Sequence, residues 1–175
     1  SNSRIEGYEP LEIVAKDFTQ TISKNSEMEL ILTNILNRPV KGDLNVSIEG
    51  LTLAYPKAIS FKANETKIIK VKIQEGHANA ENKYPLEVYF DAGKDGFAVH
   101  WEDMHVNFIS KRSITVDGQL DDWREIIPQT IVGSSKASIS LAEAAWHPYQ
   151  KFDQNAEGLA QTYMAYDDDY FYFAA

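Results

Sequence analysis

Asp43-Leu44-Asn45-Val46-Ser47-Ile48-Glu49 decides the fold class. Leu44, Val46 and Ile48 fall on one face and Asp43, Asn45, Ser47 and Glu49 on the other, the period of two that a half-buried strand requires. The pattern recurs on both sides. Upstream, Met28, Leu30 and Leu32 alternate with Glu29, Ile31 and Thr33, and residues 34–39 supply turn formers ahead of Val40 and Gly42. Downstream, residues 58–61 make a short candidate strand, residues 67–73 alternate through Ile69, Val71 and Ile73, and residues 84–90 are rich in β-branched and aromatic side chains. Residues 91–96 hold two glycines and the Asp95-Gly96 pair, so residues 97–109 are expected to return as one long strand against 84–90. Residues 11–22 alternate loosely and add one or two strands; residues 74–83 are irregular and tolerate a single helical turn.

Seven or eight strands with frequent turn signals predict an all-β fold, with an immunoglobulin-like antiparallel β-sandwich over residues 9–110. Thr33-Asn34, Asn37-Arg38-Pro39-Val40, Gly42, Ile59-Ser60-Phe61, Asn64-Glu65-Thr66 and Tyr84-Pro85-Leu86-Glu87-Val88 mark its turns and strands. In that placement the segment resembles the immunoglobulin-like accessory domains found beside glycoside-hydrolase catalytic modules. The resemblance implies a spacer or scaffold, not a catalyst.

Lys111-Arg112, a charged joint without glycine or proline, leads into Ile114-Thr115-Val116-Asp117-Gly118-Gln119-Leu120-Asp121-Asp122-Trp123. The β-branched run 114–116 reads as a strand, Asp117-Gly118 as a tight turn, and Asp121 as the cap of a helical turn that carries Trp123 into a core. Further on, Ala165-Tyr166-Asp167-Asp168-Asp169-Tyr170-Phe171-Tyr172-Phe173-Ala174 reads as two aromatic strands around an acidic turn. Together these motifs make residues 113–175 similar to the start of the family-nine carbohydrate-binding modules and their relatives. The resemblance implies a second β-sandwich, glycan binding, a structural calcium ion, and a secreted, periplasmic or cell-surface setting within a larger polypeptide whose other domains are partners. Such a fold needs more strands than 63 residues supply, so this sandwich is expected to be truncated at Ala175. A strand ending in Phe171, Phe173 and Ala174 is then expected to self-associate through its open edge.

Composition narrows the chemistry. The chain has 175 residues, 43% hydrophobic and 11% aromatic, enough to bury a core and inconsistent with disorder. Its net charge of -9, from 17 basic and 26 acidic residues without a basic stripe, argues against nucleic acid as a partner. No run of eighteen apolar residues is present, so no transmembrane segment is expected. With zero cysteines, thiolate metal sites and cysteine nucleophiles are excluded. No nucleophile elbow, phosphate loop or dinucleotide fingerprint occurs, and no enzyme activity is expected.

Four histidines, His77, His100, His105 and His147, form no recognisable metal set. The carboxylates Asp117, Asp121 and Asp122 admit calcium ligation or local capping. Asp167, Asp168 and Asp169 pose the same choice, since adjacent acids repel one another and either a cation or solvent relieves them. Glycan docking requires exposed aromatic planes with polar neighbours. Trp101 and Trp123 read as packing residues, whereas Ser140-Leu141-Ala142-Glu143 opens a short helix that Pro148 stops, presenting Trp146, His147 and Tyr149 as a candidate platform. The sequence reading is a non-catalytic accessory fragment that binds or positions a polysaccharide or oligosaccharide. Its alternatives are a structural spacer or protein-interaction module, and a noncatalytic piece of an enzyme whose active site lies beyond Ala175.

Overall fold

The computed structural model describes residues 9–133 and 158–175, with backbone alone for 130–133 and 158–161. The chain divides into two compact units, the first built from residues 1–79 and 83–108 and the second from 80–82 and 109–175.

Among the described residues, the first unit is an antiparallel β-sandwich of eight strands: β1 Leu11–Lys16, β2 Glu27–Asn34, β3 Val40–Ile48, β4 Leu51–Ala54, β5 Ala58–Phe61, β6 Thr66–Gly76, β7 Tyr84–Asp91 and β8 Phe97–Met104. Their order is β1-β2-β6-β4-β3-β7-β8, with β5 added beside β3. The order is one continuous antiparallel path, in which β3 and β4 are joined where Ile48 pairs with Leu51. The remaining open side is drawn together by a parallel bridge between Phe18 and Val106. Asp17 holds that closure, its carboxylate accepting the backbone N–H of His105 at 2.8 Å and the Asn107 side-chain amide at 2.9 Å.

Alternation places the core. In β2, Met28, Leu30, Leu32 and Asn34 are buried while their neighbours are half-exposed. In β3, Leu44, Val46 and Ile48 face inward, as the period of two requires. They lie opposite Phe90, Val88 and Leu86 of β7. Aromatic rings fill the space between the layers: Phe18 meets Tyr84 edge-on at 5.8 Å, and Phe61 meets Phe90 edge-on at 6.0 Å. Gly42 points toward the same core, and a Cβ there would lie 2.7 Å from the end of the Phe90 ring. Asn34 is fully buried with its hydrogen bonds satisfied, its amide donating to the carbonyls of Arg38 and Lys62 and its oxygen accepting Leu36 N–H. This side chain holds the turn between β2 and β3.

Two local expectations change. The helical turn that residues 74–83 could hold does not form: β6 runs on to Gly76, and residues 80–81 form a turn instead. The strand expected over 97–109 stops at Met104, because the chain then leaves the β7 ladder to meet Phe18. The β7–β8 hairpin itself forms with continuous register from Asp91↔Phe97 to Tyr84↔Met104. Gly93 and Gly96 take positive φ in its loop, where the Asp91 carboxylate accepts Gly93 N–H.

The second unit contains β9 Ser110–Lys111, β10 Gln129–Gly133, β11 Gly158–Tyr166 and β12 Phe171–Ala174. β11 pairs antiparallel with β10 and β12 and parallel with β9. Its core joins Ile114, Trp123, Ile126 and Ala165, with Tyr163, Tyr172 and Ala174 packed against them. The Ile114–Val116 run is not a ladder strand, a correction to the sequence reading; Val116 is 88% exposed. The joint supplies the pairing instead, as Lys111 enters β9 and Arg112 N–H donates to Tyr166 O at 2.7 Å. Among the described residues, no helix is long and apolar enough to cross a membrane.

Candidate functional site

Among the described residues, two places gather candidate functional side chains, one in each unit. In the first unit, the register of β3, β7 and β8 aligns their outward residues into rows: Asp43, Asp91 and Phe97; Asn45, Tyr89 and Val99; Ser47, Glu87 and Trp101. Residues opposite one another across a ladder share a face. Phe97, Val99 and Trp101 therefore line the outer side of β8, the terminal strand of the order. Phe97 stacks on Tyr89 with centroids 5.7 Å apart and planes 30° apart, and is itself 56% exposed. Trp101 is 70% exposed.

This overturns the expectation that Trp101 packs. Its parity is opposite to the buried Ala98, as the alternation requires, but the side chain lies exposed on the outer face. Beside Trp101 runs a groove of about 560 Å³, lined in part by Ser47, Glu49, Pro85, Glu87, Glu102 and Asp103. Lys83 reaches Asp103 at 2.9 Å, and His100 Nε2 meets Glu102 at 2.9 Å. At the other end of the face, the Tyr55 hydroxyl donates to the Asn45 side chain and accepts Val46 N–H, with the Lys57 ammonium over its ring.

In the second unit, the acidic turn between β11 and β12 is a fastening. Asp167 accepts four hydrogen bonds: from the Tyr172 hydroxyl at 2.6 Å, from Ser113 Oγ at 2.8 Å, and from the backbone N–H groups of Asp169 and Tyr170. Asp168 pairs with Lys111. The turn thus grips the chain on either side of Arg112 and seats β9 against β11. Asp167, Asp168 and Asp169 do not converge on one point, and among the described residues no group of three metal-ligating side chains is assembled.

The Tyr172 hydroxyl, with the turn N–H groups and Ser113, holds the Asp167 carboxyl well below the usual carboxylate range. Reciprocally, Asp167 raises the Tyr172 phenol. Depressing a folded-state carboxylate gives stability that is present above its unfolded value, about 3.9, and lost as pH falls. We therefore expect the second unit to lose stability progressively below about pH 4, and Asp167→Asn to flatten that acid limb in denaturation series. An unchanged acid limb in the variant contradicts this account.

The other aspartates act locally. Asp117 accepts Gln119 N–H in a turn where Gly118 takes φ 80°, as the Asp-Gly pair predicts. Asp121 does not cap: Leu120 occupies the cap position of the short 3-10 turn Asp121–Trp123, and Asp121 pairs with Arg124 at 2.5 Å. Asp122 accepts Thr115 N–H instead, which lowers its carboxyl. Trp123 is buried at 5% exposure, as expected. Leu120, three residues before it, is exposed. Trp146, His147 and Tyr149, with the helix opened by Ser140, lie outside the described residues.

No family model and no curated protein matches the chain. Among solved structures, a FixG-related protein from Vibrio parahaemolyticus is similar, with a TM-score of 0.43 and 9% identity over 57% of this chain and 99% of that one.

Proposed function

We propose that this chain is a non-catalytic accessory module that docks glycan through the outer face of β3, β7 and β8, within a larger exported carbohydrate-active protein. The observation that carries the reading is Trp101, held 70% exposed in line with Phe97 and the stacked Tyr89. Aromatic planes bind the apolar face of a pyranose, and polar neighbours such as Ser47, Asn45 and Glu87 offer hydrogen bonds to its hydroxyls. Large apolar groups grouped on a surface mark interaction sites in soluble proteins.

Calorimetry of the full chain against cellulose, xylan, chitin, chitosan and polygalacturonate oligomers tests the reading. At least one is expected to bind, and Trp101→Ala is expected to weaken it by about tenfold or more while leaving stability within about 0.5 kcal/mol. Failure of every oligomer, or binding indifferent to Trp101→Ala, contradicts it. The burial of Trp123 favours a second reading, a spacer with no sugar binding, and a blank panel supports that one.

A further inference from the structure

We infer that the groove beside Trp101 takes a positively charged glycan, one carrying protonated amino groups as in glucosamine oligomers; the inference rests on the docking role proposed above. Four carboxylates, Glu49, Glu87, Glu102 and Asp103, line the groove, and no basic residue does. Asp103 and Glu102 have Lys83 and His100 as partners, but Glu49 and Glu87 enter no ion pair among the described residues. Glu87 stands directly opposite Trp101 in the ladder. A carboxylate and an indole face are thus adjacent on one surface, a pairing suited to an ammonium group. The indole attracts the cation through its ring quadrupole, and the carboxylate supplies a charge-assisted hydrogen bond. The sugar ring itself stacks on the aromatic surface.

The same charge works against alternatives. A polyuronate brings its own carboxylates against Glu49 and Glu87, and like-charge contact disfavours it. A neutral glycan meets no such repulsion but forgoes the ion pair. The chain's net charge of -9 adds a long-range attraction for cationic polymers.

The full chain is titrated at one fixed pH with glucosamine oligomers, their N-acetylated counterparts, cello-oligosaccharides and galacturonate oligomers of equal length. Glucosamine oligomers are expected to bind about tenfold more tightly than the acetylated and neutral ones, with galacturonates weakest. Glu87→Gln combined with Glu49→Gln is expected to erase that preference while neutral binding persists, and Trp101→Ala to weaken all oligomers. Circular dichroism establishes that each variant is folded. Equal binding of amino and neutral oligomers, or a preference that survives the double glutamine variant, overturns the charge selectivity but leaves glycan docking standing. Absence of binding to every oligomer overturns both.

Discussion

Trp123→Ala is expected to cost the second unit about 3–5 kcal/mol, the usual range for removing a buried large aromatic. The indole is 5% exposed and sits with Ile114, Ile126 and Ala165, its ring 6.2 Å from that of Tyr163. Single domains are typically stable by about 5–15 kcal/mol, which makes the loss a large fraction of the total. Hydrogen exchange along β11 in the variant is the direct readout, since that strand carries Tyr163 and Ala165. Faster exchange confined to the second unit is expected. A loss under about 1 kcal/mol contradicts the placement of Trp123 at the centre of that core.

Phe90→Ala is expected to have a comparable effect on the first unit, again about 3–5 kcal/mol. Its ring is fully buried, meets Phe61 edge-on at 6.0 Å, and extends to where Gly42 lacks a side chain. Filling that space from the Gly42 side does not compensate, because a Cβ at residue 42 also meets the Asp91 carbonyl of the paired strand. Calorimetric unfolding checks the result. A drop in Tm of roughly ten degrees or more is expected for a sandwich of this size, and a shift of a degree or two contradicts the packing described.

The sandwich was legible because strand alternation reports directly which residues share a face. Leu44, Val46 and Ile48 against Asp43, Asn45 and Ser47 needed no tertiary information, and the Asp91–Gly96 loop announced the β7–β8 hairpin through its glycines. What alternation does not report is which face another layer covers. For Trp101 the alternation gives the side of β8 opposite Ala98 and not its environment, which is solvent at 70% exposure.

The second unit shows a different limit. Ile114–Val116 has the β-branched composition of a strand, yet Ser110–Lys111 makes the ladder. The partner that decides the matter is the acidic turn, with Ser113 and Asp167 54 residues apart in sequence. Local propensity cannot see a hydrogen-bond partner at that distance. The same contact explains why three adjacent aspartates are tolerated: Asp167 is filled by four donors and Asp168 faces Lys111.

The proposed docking of glycan on the outer face of β8 is tested most directly by the response of the tryptophan indole N–H resonances. The ¹⁵N-labelled full chain is titrated with the glucosamine and cello-oligosaccharides used above, and the three indole signals, from Trp101, Trp123 and Trp146, are assigned by substitution. The Trp101 signal is expected to shift in a saturable way while that of buried Trp123 stays in place. Shifts confined to Trp146, or none at all, contradict it.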